Sequence, residues 1–387
     1  MKSTDLMREE IKAQSKLFTG YAPALYEKAV TLLKEELSSP VERIYITGCG
    51  DSFFAGMEFQ DLFYEWTGVE AFAVHALEFS RYVCPKHVNG KTLVLSISAS
   101  GKVTRTIEAA ARAKEAGGHS IAITSNAETP LAKAAGRSLE VTIPNNISLA
   151  PGVRSYAASQ VSLICLTLGL SKVKGTLDDG KIEEILSLLA KTGEAIEKTA
   201  EIASGYAQAY VNRYFGPKSG ENVRIYHVLG SGSNLGTANF GTMKLLESCG
   251  FSSVPCDLEE WAHSHYFAGD KNTHVIVLGA KGRSHFRAKE ILSAIPVVDA
   301  KTVMIAEEND ADLTAGQDIV LPVCGMDDIP EWLSPVLYSI PLEILSMYIS
   351  IALDREGLDF VKRPWLKEEN FRQIYHSDFR LMKEDDL

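Results

Sequence analysis

The chain states one plan twice. "RIYITGCGDSFFAG" (43–56) and "RIYHVLGSGSNLGTA" (224–238) both run from Arg-Ile-Tyr through an apolar strand into a Gly-x-Gly turn and then a helix. A repeat of so long a period duplicates a whole domain and excludes a short-period solenoid. Around each copy, short β-rich runs alternate with helix-like segments, which is the pattern of an α/β fold with a parallel sheet.

Ten strands are predicted. Those of the first half fall at 43–50, 70–78, 92–98, 119–124 and 138–144, and those of the second at 224–233, 252–259, 273–280, 302–307 and 318–323. "SFFAGMEFQDLFYEWTG" and "RTIEAAARAKEAGG" are amphipathic, close on glycine and suit crossover helices. The boundaries that follow are an N-terminal helical segment over 1–38, a first domain over 39–178, a helical connector over 179–218, a second domain over 219–355 and a tail over 356–387. A chain of 387 residues accommodates two domains of ordinary size. The tail lacks a long periodic pattern and reads as a strap laid over another part of the protein.

Composition narrows the function. Lys and Arg number 39 against 50 Asp and Glu, a net charge of −11, and general nucleic-acid binding leans on the opposite sign. Six cysteines without a CxxC pair read as buried, reduced thiols of a cytoplasmic protein. The N-terminus lacks the apolar core of a signal peptide, and no apolar window is read as approaching the ~18 residues of a membrane span. The nine histidines are dispersed and no HExxH, HxxEH or Asp-rich loop is present, so neither a metal nor a cofactor is expected. The glycine pairs Gly48/Gly50 and Gly230/Gly232 do not extend to G-x-G-x-x-G, which leaves nicotinamide-nucleotide binding weakly supported.

A stronger signal lies in "VLSISASGKVTRTIEAA" (94–110), where a strand empties into hydroxyls just before a helix. Parallel sheets bind ligands at strand carboxyl ends, and helix N-termini offer amides and the positive end of a dipole. Capping that helix needs one hydroxyl. Ser98, Ser100 and Thr104, together with Ser52, make a cup suited to a phosphate monoester, and Lys102 or Arg105 could add charge or face solvent.

These segments, with "GCGDSFFAG", "SISASGKVT" and "EFSRY", resemble the sugar isomerase (SIS) family. The likeness is to the isomerase half of glucosamine-6-phosphate synthases and to stand-alone ketosamine-phosphate deglycases and deaminases, over roughly residues 40–370. It implies two SIS domains, each a doubly wound, flavodoxin-like parallel sheet with flanking helices, plus a C-terminal tail that contributes to the active site. The family's C-G-T-S turn and S-Q-S-G-E-T loop correspond to 49–52 and 98–103, which carries phosphate binding onto Gly50, Ser52, Ser98, Ser100 and Gly101. Ala99, Lys102 and Val103 depart from that pattern, and Thr104 stands in one place later. "GVRSY" resembles a sugar-lining G-V-A-S-T, matching Ser155 and introducing Arg154, either a substrate contact or a surface charge.

In the second half "GTMKLLE" resembles the family's ALKLKE helix and "EEWAH" its GELKH segment. The resemblance makes Glu247 the base that moves a proton between C1 and C2, with Lys244 beside it. It makes Glu260 a substrate contact and His263 the ring-opening acid–base, supplied by a neighbouring subunit of a homodimer or dimer of dimers. His265 is a rival for that role. "RPWLK" resembles RNLAK and puts Lys367 in the place of an active-site lysine. Trp261 and Tyr266 are further candidates for lining the leaving-group side.

The synthases need a cysteine directly after the initiator Met, where this chain has Lys2, so no glutaminase activity is expected. The reaction implied is deglycation of a fructosamine 6-phosphate of the fructoselysine type. The alternatives are an amino-sugar-phosphate deaminase/isomerase and a non-catalytic sugar-phosphate sensor.

Overall fold

A computed structural model describes residues 3–37, 39–142, 151–216, 223–355, 358 and 362–378. Ten strands form in two sheets: β1 (Arg43–Gly48), β2 (Ala71–His75), β3 (Thr92–Ile97), β4 (His119–Thr124) and β5 (Ser138–Glu140), then β6 (Ile225–Leu229), β7 (Ser253–Cys256), β8 (Thr273–Leu278), β9 (Lys301–Glu307) and β10 (Val320–Val323). All strands are parallel, in the order β2-β1-β3-β4-β5 in the first sheet and β7-β6-β8-β9-β10 in the second. Each sheet is thus doubly wound, with its topological switch point between the first and third strands of its half.

The local causes are plain. β3, β4 and β8 are buried at every position, as strands covered by helices on both faces must be. The duplication extends to backbone torsions. Gly50 (φ 55°, ψ −131°) and Gly232 (φ 57°, ψ −132°) precede the helices Asp51–Thr67 and Ser233–Lys244 in one left-handed conformation that favours glycine. The connector is one 36-residue helix, Asp179–Tyr214.

Contacts group the described residues into two compact units. The first-sheet unit takes residues 20–37, 39–142, 155–188 and 362–378. The second-sheet unit takes 3–19, 151–154, 189–216, 223–355 and 358.

Three expectations change. The strands stop short of the expected ends, β1 at Gly48 and β6 at Leu229, because the chain turns at Gly50 and Gly232 into the following helices. The described part of the tail is not featureless, since Pro364–Tyr375 is a helix started by its proline. The helices Arg154–Lys174 and Glu331–Ala352 do reach the length and apolarity of a membrane span, but 89% and 83% of their most apolar windows are buried inside the protein, as in core helices. The expected strand end at 143–144, the connector end at 217–218, the start of the second domain at 219–222 and tail residues 356–357, 359–361 and 379–387 lie outside the described residues.

Candidate active site

In the first-sheet unit, β1 and β3 deliver two loops to the switch point. The loop after β3 is fastened to β4 by backbone bonds: Ser98 N–H donates to Ile123 O (3.1 Å), and Ser125 N–H donates to Ala99 O (3.2 Å). Gly101 turns the chain at φ +61°, where a Cβ would come within 2.4 Å of the Thr129 Cβ. The loop after β1 lies against the same strand end. A Cβ at Gly48 would stand 2.8 Å from the Ser52 Cβ and 3.1 Å from the Ile97 carbonyl oxygen.

The hydroxyls of this cup are not used as helix caps. The helix Thr104–Glu115 starts after an extended Val103, the helix Asp51–Thr67 starts after Gly50, and neither has a side-chain cap. Ser98 Oγ lies 3.5 Å from Ser100 Oγ, and Lys102 N–H donates to Ser100 Oγ (3.3 Å). Ser98 and Thr104 are buried while Ser100 is exposed. Two uncapped helix starts with clustered hydroxyls make an anion cradle. Lys102 is exposed, and Arg105 binds Glu108 and the tail at Ser377 Oγ (3.0 Å) and the Asp378 carbonyl. Cys49 is the exception among the six free thiols: it is exposed in the turn after β1, while the other five are buried.

The second sheet's corresponding loop already holds an anion. Arg283 N–H donates to Glu331 Oε1 (3.1 Å), and Gly282 packs on that carboxylate. The Arg283 Nε also lies 3.7 Å from Glu331 Oε2, so this loop is closed on the carboxylate.

In the second-sheet unit, the helix Ser233–Lys244 runs into a π-helical turn, Leu245–Cys249. Lys244 is fully buried. Its Nζ donates to Glu247 Oε2 (2.7 Å) and to the Gly152 carbonyl (3.1 Å), and lies 4.9 Å from the centroid of the Phe240 ring. The Glu247 side chain is 33% exposed, so a carboxylate anchored by a buried ammonium still faces solvent. Such a group suits proton transfer, because its position is fixed while it stays open to solvent.

Arg154 is neither a substrate contact nor a surface charge. It is buried and forms a bidentate pair with Glu10, Nε to Oε2 at 2.9 Å and Nη2 to Oε1 at 2.8 Å. Burial pushes the Glu10 carboxyl up, against the pull of Arg154. Trp261 is also no lining residue, since it is buried and its indole Nε1 donates to His227 Nδ1 (3.1 Å). Tyr266 packs against the same core cluster.

His263 ends the helix Leu258–His263 with its side chain 73% exposed, 3.7 Å from Glu259. Glu260 accepts from Ser264 Oγ (2.9 Å), and His265 sets its ring edge-on to His227. Ser155 is the second residue of the helix Arg154–Lys174. Lys367 is exposed on the tail helix with its Nζ 5.8 Å from the Phe371 ring centroid.

Glu58 and Glu108 are among the buried carboxylates that escaped the sequence reading. Glu58 accepts from Tyr156 Oη (2.5 Å) and Gln160 Nε2 (2.8 Å), tying the helix of Ser155 to that of Ser52. Glu108 gathers Arg81, Arg105 and Arg112. The four-residue spacing of Tyr156 and Gln160 was the available signal for the first. For the second, Arg105 and Arg112 stand three and four residues from Glu108, and Arg81 alone of the three is distant in sequence. Among the described residues, no group of three or more His, Cys, Asp or Glu is placed to hold a metal.

The two sheets define a class, the tandem doubly wound α/β proteins. Residues 37–168 match the SIS domain model. The chain is 28% identical over 327 residues to the isomerizing glutamine–fructose-6-phosphate aminotransferase of Gloeobacter violaceus, covering 84% of this chain and 51% of that protein. The chain spans about half the length of the curated relatives it matches.

Among solved structures, the C-terminal domain of glucosamine-fructose-6-phosphate aminotransferase from Francisella tularensis matches with a TM-score of 0.78 at 20% identity, covering 91% of this chain and 97% of that one. Glucosamine-6-phosphate deaminase from Thermotoga maritima matches with a TM-score of 0.67 at 17% identity, covering 91% and 97%. At these identities the likeness concerns the fold.

Proposed function

We propose that the protein is a ketosamine-phosphate deglycase acting on a fructosamine 6-phosphate. The observation that carries this reading is the buried Lys244 holding a solvent-facing Glu247 at 2.7 Å. The phosphate is taken by Ser52, Ser98, Ser100 and Thr104 with the amides of two helix starts. Glu247 removes a proton from C1 of the ketosamine as O2 gains one, giving the enaminol; the proton is then returned to C2 while the amine nitrogen gives up its own. The product is an aldose imine, which water splits into the aldose 6-phosphate and a free amine. Lys244 stabilises the negative charge that develops during enolisation.

His263, exposed at a helix end, opens the sugar ring in the site of a second copy of the chain, and Lys367 serves at the carbonyl. A regulatory sugar-phosphate sensor would need the cup without the base. The occupied Lys244–Glu247 pair favours an enzyme. Fructoselysine 6-phosphate and glucosamine 6-phosphate, assayed side by side, test the reading. Free lysine from the first is expected. Ammonia from the second alone would make the protein a deaminase/isomerase, and turnover of neither would overturn the proposal.

A further inference from the structure

One of the acceptors that hold Lys244 is a backbone carbonyl with its own support. The Gly152 oxygen that receives the ammonium lies two residues before Arg154, and the Arg154 guanidinium is locked in the buried bidentate pair with Glu10. Between them Val153 is 1% exposed, so the segment has little room to shift. Glu10 is itself fixed. Its helix, Ser3–Ala13, is followed by Gln14, whose Nε2 donates to Glu343 Oε2 (2.6 Å), and by Ser15, whose Oγ donates to Glu197 Oε1 (2.5 Å). All of these residues belong to the second-sheet unit.

We infer that Glu10 and Arg154 are positioning residues: their ion pair clamps residues 152–154 so that the Gly152 carbonyl keeps the Lys244 ammonium against Glu247. The inference rests on the proposed role of Glu247. It gives the N-terminal helix a part in catalysis without contact with substrate. It also accounts for Arg154 where the resembling segment has alanine. Removing one member would leave the other charge buried and alone, whereas removing both together is tolerated in well-packed interiors.

The test is the double variant Glu10→Met/Arg154→Met, compared with Arg154→Lys, Glu247→Gln and the unaltered full-length protein. Turnover of fructoselysine 6-phosphate, dissociation constants for glucose 6-phosphate, and acetylation of Lys244 by acetic anhydride, read by mass spectrometry, are measured in each. The double variant is expected to lose at least tenfold in kcat with KM and glucose 6-phosphate affinity within threefold, and to expose Lys244 to acetylation. Arg154→Lys, which keeps the charge but not the fork, is expected to lose threefold or more in kcat, and it decides the matter if the double variant does not fold. A double variant, or failing that Arg154→Lys, with unaltered kcat and a protected Lys244 overturns the inference. Full activity in Glu247→Gln would instead overturn the base assignment, and the acetylation result would still judge the clamp.

Discussion

Ser98 and Ser100 show how much a single side chain decides here. Their hydroxyls stand at the mouth of β3 and cap no helix, so a phosphate monoester would be their natural partner. A hydrogen bond to a charged group contributes about 1.5–3 kcal/mol. Ser98→Ala or Ser100→Ala is therefore expected to weaken sugar-phosphate binding roughly ten- to hundredfold in a titration, with the melting temperature little changed. An unaltered affinity in both would move the anion site elsewhere. This cluster was legible in the sequence because residue type and strand end coincide in one short stretch. Glu10 was not, because its partner Arg154 is 144 positions away and no local pattern announces the pair.

At the scale of the element, the π-helical turn Leu245–Cys249 sets the geometry of the carboxylate. Such turns carry one residue more than an α-helical turn and recur at functional sites. Deleting Leu246, which is about half exposed, would place the glutamate two positions after Lys244, on a different face of the helix. The buried ammonium would lose its carboxylate at a cost of about 3 kcal/mol or more. Loss of turnover with a clear fall in thermal stability is expected, measured by the product assay and by calorimetry. A deletion variant with normal activity would show that the turn does not matter. The Lys244–Glu247 spacing was visible in the sequence. The turn that modifies it was not, since helical periodicity carries no mark of one inserted residue. The strands were read at the right places but too long, because β propensity continues into turns whose glycine torsions only the fold reveals.

At the scale of the molecule, acid should undo the second-sheet unit through two buried imidazoles. His227 and His274 are each pushed down to about 4, chiefly by burial, with His265 and Arg224 adding to the first and Lys301 and Arg213 to the second. Both are neutral when folded and bind protons on unfolding. Their contribution is therefore complete above the ordinary value of 6.5 and is lost as the pH falls toward 4. Each accounts for on the order of 3 kcal/mol over that window. Denaturation at pH 7.5 and 4.5 should show this fall, and His227→Asn should flatten it. A wild-type stability that does not change between those pH values would contradict the assignment. The duplicated architecture itself was legible from the two Arg-Ile-Tyr segments. That the second sheet's anion loop is occupied by Glu331 was not, because the loop and its carboxylate meet only after folding.

The central claim is the proposal that Glu247 is the base that moves the proton. Turnover and sugar-phosphate affinity of Glu247→Gln, measured on one preparation, test it most directly. The account predicts kcat lowered by about a thousandfold or more, within the range general acid–base catalysis supplies, with affinity within threefold of the unaltered protein. Undiminished turnover in that variant would contradict it.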